Sequence, residues 1–241
     1  MDLFDSELRV IDAAGALARR LGADASHTVA AAAMDTSGRI HTGVNVHHFT
    51  GGPCAELVAI GTAAAAGAGP LVTIAAVGDH DRGLLAPCGR CRQVILDLHP
   101  DALVALPDKA TGEPTIAPIP TLLPHSYRHP DAAPLRLLRF HARYAEAVAA
   151  GTKTLTVRWN ESHAAGEALA YFEDTELDPL PVDVTSVTVK RVAELSPVDL
   201  EVNGTDGVDR YIANLRGHYP AMPTDAEVEI VRFRLTQKSR S

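Results

Sequence analysis

Apolar and polar positions alternate along this chain with two periods. They take turns in the first half, whereas the second half is governed mostly by the period of two. Residues 5–21 repeat apolar side chains at helical spacing, with Leu8, Ile11, Leu17 and Leu21 on or near one stripe. Asp5 or Ser6 is the expected N-cap and Gly22 the stop. Two strand-like runs follow, residues 28–34 and 39–46, separated by Asp35-Thr36-Ser37-Gly38, whose short polar side chains favour a hairpin turn. Residues 54–66 then read as an Ala- and Leu-rich helix, 71–77 as a buried strand, 88–98 as a helix and 103–106 as a short strand. Strands alternating with helices predict a layered α/β domain.

Pro118, Pro120, Pro124, Pro130 and Pro134 then crowd into one stretch, a composition that suits a boundary better than a central strand. The expected organisation is a domain over 1–128, a linker over 129–134 and a second domain over 135–241. In the second domain, residues 135–140, 155–159, 168–172, 182–192 and 228–235 read as strands. Residues 141–150 and 206–216 read as helices.

Of the 241 residues 46% are hydrophobic and 22% charged, enough to bury a core and to exclude disorder as the dominant state. The net charge of −8 is spread evenly, with nine basic against thirteen acidic residues up to residue 130 and thirteen against seventeen after it. Even acidity argues against a polynucleotide partner, whose phosphates demand a basic surface, and favours small neutral or cationic substrates. Three cysteines and no charged leader before an apolar run point to the cytoplasm. The longest apolar stretch, residues 63–76, is broken by Gly67, Gly69 and Pro70 and falls short of the ~20 residues of a membrane span.

All three cysteines fall in two clusters, Cys54-Ala55-Glu56 and Pro87-Cys88-Gly89-Arg90-Cys91. A Cys-x-x-Cys pair at a helix start holds one metal from adjacent turns. A third thiolate from another helix start leaves one tetrahedral position open, the arrangement of catalytic rather than structural zinc. Glu56 is near enough to meet a water there without being a ligand. A structural zinc knot would lack its fourth ligand, and three unrelated thiols leave the Glu and Pro unexplained.

The ligand-x-Glu and Pro-Cys-x-x-Cys spacing matches the zinc-deaminase signature. On TGVNVHHFTGGPCAELV, RGLLAPCGRCRQVILDLHP and LLPHSY the chain resembles the cytidine deaminase superfamily, within it the blasticidin S deaminases, over nearly all of residues 1–128. The resemblance implies a three-layer α/β/α fold and zinc on Cys54, Cys88 and Cys91. It also implies hydrolytic deamination at C4 of a cytosine nucleoside, such as cytidine, deoxycytidine or an antibiotic like blasticidin S, to the uracil form. Glu56 would carry protons from a zinc-activated water to ring N3 and the departing amine. By position, Asn45 would bind the sugar, with Thr28, Arg82 and Tyr127 lining the pocket. A homotetramer is the family's usual assembly. Phe49 could stack on a base or simply pack; His47 and His48 are surface or supporting residues rather than ligands. Three thiolates on zinc leave a net charge of −1, to be offset by Arg90, or by Arg92, together with the helix starts near Cys54 and Cys88.

In the second half, Gly151-Thr152-Lys153-Thr154-Leu155-Thr156-Val157-Arg158 enters a strand, so alternation puts Thr154, Thr156 and Arg158 on one face with Lys153 near the turn. That face is either a pocket or a solvated sheet surface. With Gly166-Glu167-Ala168-Leu169 and Tyr219-Pro220, the pattern resembles an ASCH domain, a small PUA-like β-barrel, and within it the amidohydrolases acting on N4-acetylcytidine. The resemblance implies Thr156 as nucleophile, Lys153 as its base, Glu201 or Asp199 as the acid and Arg158 at the substrate. A lysine desolvated in a pocket has a lowered pKa and can activate a neighbouring hydroxyl. The alternative is a non-catalytic module that binds RNA or a nucleoside. Both reactions address the same exocyclic nitrogen, so removal of an acyl group would precede deamination.

Overall fold

The structure, a computed structural model, describes residues 3–22, 24–127 and 133–236. The expected linker lies mostly outside them. By density of contacts the chain divides into two units, Met1–Ala142 with Tyr171–Pro179, and Arg143–Ala170 with Leu180–Ser241.

The first unit runs α1 (Asp5–Ala18), β1 (Val29–Asp35), β2 (Ile40–Val44), α2 (Ala55–Ala65), β3 (Leu71–Gly78), β4 (Gly83–Leu84), α3 (Gly89–Leu98), β5 (Leu103–Pro107) and β6 (Pro114–Pro118). Its sheet has the order β2-β1-β3-β5-β6, with β4 beside β3. Only β3 and β5 pair in parallel, in register at Thr73 and Leu103; the other described pairs are antiparallel. Ala31 and Ala33 of β1 share a core with Ala55, Ala59, Cys91 and Ile95 from α2 and α3. The alternate residues Ala30, Ala32 and Met34 are also buried, and α1 packs on that side. The result is the three-layer α/β/α arrangement. The β1–β2 turn is held from inside: fully buried Asp35 accepts the Ser37 N–H at 2.9 Å and pairs with His41 Nε2 at 2.9 Å.

Helix α1 departs from the expected stripe. Val10, Ala14 and Ala18, with Ser6 and Glu7, are buried, whereas Leu8 is 41% exposed. The facing strand reads Val-Ala-Ala-Ala-Ala-Met-Asp, so the helix can approach closely only through small side chains. Its N-cap is Phe4 rather than Asp5 or Ser6, with Glu7 Oε2 accepting the Phe4 N–H at 2.9 Å. The unforeseen strand β6 begins and ends in proline and has the last place in the sheet order, where missing donors are tolerated.

Further along come β7 (Arg136–His141), α4 (Ala145–Ala149), β8 (Leu155–Arg158), β9 (Gly166–Glu173), β10 (Leu180–Arg191), α5 (Pro197–Leu200), α6 (Gly204–His218) and β11 (Glu227–Leu235). The second sheet has the order β7-β9-β10-β11-β8, curled into half a barrel rather than closed. Its longest pairing, β10 with β11, shifts register between Val184 and Ser186, an irregularity of the kind that bends a sheet. Leu155, Val157, Val228 and Ile230 pack with Val208 and Leu215 of α6.

Candidate metal centre and second site

Two helix starts bring the sulfur atoms together. Cys54 is the N-cap of α2, Cys88 the N-cap of α3, and Cys91 lies in the first turn of α3. Close backbone approach makes this possible. A side chain at Gly43 of β2 would meet the Ala59 nitrogen of α2 at 2.4 Å, and one at Gly52 would stand 1.7 Å from the Val46 carbonyl. Cys54 Sγ is 3.7 Å from Cys88 Sγ, Cys88 Sγ is 3.6 Å from Cys91 Sγ, and all three lie within 4.8 Å of one another. Tetrahedral zinc with bonds of about 2.3 Å spaces its sulfurs about 3.8 Å apart. The trio fits that ion.

Electrostatics agree. Burial pushes the thiols of Cys54 and Cys91 up, and Glu56 adds to both shifts. Burial pushes Cys88 up as well, but hydrogen bonds from the backbone N–H groups of Cys91 and Arg90 and from the neighbouring thiols outweigh it and hold that thiol below the ordinary range. Glu56 is 5% exposed, in the first turn of α2, and among the described residues no hydrogen bond engages its carboxylate. A buried carboxyl group beside three sulfur donors makes a site suited to a cation. The backbone N–H of Arg90 is one of the donors that lower Cys88, while its guanidinium reaches the Gly52 carbonyl at 3.5 Å. Arg92 donates instead to the carbonyls of Pro87 at 2.8 Å and Leu122 at 3.1 Å.

Three residues expected at the substrate form one connected cluster. Asn45 Oδ1 accepts the N–H groups of Thr28 and Val29 at 2.7 and 2.8 Å. Arg82 donates to the Thr28 carbonyl and pairs with Asp79 at 2.6 Å. Burial raises the Asp79 carboxyl, but Arg82 and His80 outweigh it and hold it below the usual carboxylate range. Tyr127 is 69% exposed, and its carbonyl accepts from Gln93 Nε2 at 2.9 Å. Phe49 is 93% exposed, with the His48 ring tilted against it at a centroid distance of 4.4 Å. His47 and His48 are not in the sulfur cluster. Sequence reasoning missed Asp79 and Gln93; the three-residue spacing of Asp79 and Arg82 was the available signal for the former.

In the second unit, Lys153 is half-buried with Nζ 4.6 Å from the Tyr144 ring centre. Burial, then Arg158 and Arg143, bring its pKa down to about 8. Thr156 is buried. Thr154, not Thr156, donates to Glu201 Oε2, at 3.3 Å, and the other Glu201 oxygen pairs with Arg232. Glu201 holds a left-handed backbone, φ 55° and ψ 40°, which costs a non-glycine residue about 1–2 kcal/mol. Asp199 is committed elsewhere: it pairs with Lys190 at 2.7 Å and accepts the Ser196 hydroxyl at 2.6 Å, contacts that pull its pKa down to about 2. Arg158 lies 3.9 Å from Glu161, which also accepts the Tyr219 hydroxyl.

Among the described residues no helix is long and apolar enough to cross a membrane. Residues 5–106 match the family of the cytidine and deoxycytidylate deaminase zinc-binding region. A blasticidin-S deaminase of Bacillus cereus is 30% identical over 135 residues, 52% of this chain and 95% of that protein. A cytidine deaminase of Mycobacterium tuberculosis is 42% identical over 71 residues, 29% of this chain; the match spans about half, 53%, of that relative's length. An ASCH domain from Lactobacillus crispatus aligns with 38% of this chain and 69% of its own, at 14% identity and a TM-score of 0.32.

Proposed function

Because the chain belongs to the cytidine deaminase family, whose zinc-binding region it carries at residues 5–106, we propose that it hydrolyses the exocyclic amine of a cytosine nucleoside to give the uracil form and ammonia. The observation that carries this reading is the sulfur trio beside buried Glu56. Cys54, Cys88 and Cys91 would hold zinc, which when bound supplies the Lewis acidity that brings a water's pKa down to ~7. Glu56 takes the proton that water releases and delivers it to ring N3, making C4 electrophilic. As the water oxygen bonds to C4, Glu56 takes that oxygen's remaining proton and passes it to N4, so that the C4–N4 bond breaks, ammonia leaves and the C4 carbonyl of the uracil form remains. Asn45 orients the sugar, while Thr28, Arg82 and Tyr127 frame the pocket. Substrates of this chemistry are cytidine, deoxycytidine and cytosine nucleoside antibiotics such as blasticidin S. The working form is a cytoplasmic homotetramer. Ammonia release with each substrate tests the reading; none from any of them would end it.

For residues 135–241 we propose amide hydrolysis of an N4-acylated cytidine, with Thr156 as nucleophile, Lys153 as its base, Glu201 as the acid and Arg158 at the substrate. The lowered pKa of Lys153 supports this. Thr156 attacks the acyl carbon as its proton passes to Lys153, and N4 takes a proton from Glu201 as the C–N4 bond breaks and cytidine leaves. Water then cleaves the Thr156 ester, one water proton returning to Glu201 and the Lys153 proton to Thr156, and frees the carboxylic acid. A second reading, a non-catalytic nucleoside- or RNA-binding module, is favoured by the pairing of Glu201 with Thr154 and Arg232. Acetate release from N4-acetylcytidine separates them.

A further inference from the structure

We infer that Gln93 is a positioning residue for the deaminase pocket: from the helix that carries Cys91 it holds the backbone carbonyl of Tyr127, and so sets where that residue stands against the substrate. The inference rests on the deaminase reading above. Gln93 Nε2 donates to the Tyr127 carbonyl at 2.9 Å and lies 3.0 Å from both oxygens of Asp97, one helical turn further on. A carbonyl and a carboxylate both accept, so the NH₂ end of the amide must face them, and its two hydrogens are divided between Tyr127 and Asp97. Asp97 thereby aims the donor.

The neighbouring residue completes the attachment. Arg92 donates to the Leu122 carbonyl at 3.1 Å and to the Pro87 carbonyl, just before Cys88, at 2.8 Å. The segment Leu122-Leu123-Pro124-His125-Ser126-Tyr127 is therefore held at both ends by consecutive residues of α3. Leu122 and Leu123 also pack on the core of the unit, whereas the Tyr127 side chain is 69% exposed. His125 between them turns through a left-handed conformation, φ 57°. Packing anchors the near end of the segment; at the far end the described restraint is the bond from Gln93. Gln93 reaches no sulfur, so its loss should be felt in substrate binding rather than in the chemical step.

Gln93→Ala and Gln93→Leu are expected to raise KM for the best cytosine nucleoside about fivefold, the effect of losing one hydrogen bond, with kcat within twofold and one zinc per chain retained. In a Tyr127→Ala background, Gln93→Ala should add nothing to KM. An unchanged KM, a fall in kcat with loss of zinc, or a full additional effect in the Tyr127→Ala background would overturn the inference. Hydrogen exchange over residues 122–127 gives a readout that needs no activity. Faster exchange in Gln93→Ala than in the unmodified protein supports the clamp, and equal exchange overturns it. A protein that deaminates nothing would sink the deaminase reading by itself, while the exchange measurement still decides whether Gln93 holds the segment.

Discussion

Asn45 grips the backbone of Thr28: its side-chain oxygen accepts the Thr28 N–H at 2.7 Å, seventeen residues away in sequence. The same oxygen accepts the Val29 N–H at 2.8 Å, which leaves the amide nitrogen as the end available to a ligand. Asn45→Asp should keep both backbone bonds and lose the donor, raising KM about tenfold with little change in melting temperature. Asn45→Ala should raise KM and also destabilise by about 1–3 kcal/mol, because two N–H groups lose their acceptor. Steady-state kinetics beside thermal melts check the pair.

Metal dependence follows from the sulfur geometry. The purified protein is expected to hold one zinc per chain, to lose it when Cys88 or Cys91 is changed to Ala, and to melt at lower temperature after chelation, since binding to the folded state alone stabilises it. Glu56→Gln should retain zinc and lower kcat by about 10²–10⁴, the range for removal of a general acid–base group. Metal analysis beside ammonia release distinguishes the two roles.

A buried carboxyl outside the site makes a pH prediction. Burial is the largest influence on Glu7 and raises its pKa above 4.5, and its Oε1 has no hydrogen-bond partner among the described residues. A folded pKa above the unfolded one means that the folded state binds the extra proton. The stabilisation is therefore present at low pH and is lost as pH rises from about 4.5 through the raised value. Glu7→Gln, which mimics the protonated acid, should melt higher than the unmodified protein at pH 7, with the gap closing toward pH 4. Melts across that range check the sign.

Lys153 yields a test in the opposite direction. If it serves as a base it must be unprotonated, so acetate release from N4-acetylcytidine should climb with pH around about 8. Lys153→Met and Thr156→Val should abolish it, and Thr154→Val should spare most of it. No acetate at any pH, with N4-acetylcytidine binding retained, would establish the module as non-catalytic.

The candidate donor set, three sulfur atoms that could hold a metal, was legible from residue type and spacing. Three cysteines, one glutamate and one proline in two short clusters define a three-thiolate site with an adjacent acid, and they do so because metal coordination constrains ligands along the chain as well as in space. The periods of two and 3.6 likewise placed most strands and helices, since side-chain direction is a local property of the backbone. Helix α1 shows where local reading stops. Its pattern nominated Leu8, Ile11, Leu17 and Leu21, but against the alanine-rich sheet the apolar side chains it buries fully are Val10, Ala14 and Ala18, and a partner's shape is not written in the helix itself.

The surroundings of Asp199 and Glu201 are likewise a matter of contacts that the sequence does not show. Lys190 and Ser196 engage Asp199, while Thr154 and Arg232 meet Glu201. Gln93 reads in sequence as an ordinary polar helix residue and acquires meaning only through a carbonyl thirty-four positions away. What the sequence by itself determined is the chemistry available to this protein and the local direction of its side chains. Which groups share a hydrogen bond, which are left to meet a ligand, and which face of a helix is buried were decided by the tertiary structure, because those outcomes depend on atoms that only folding brings within three or four ångströms.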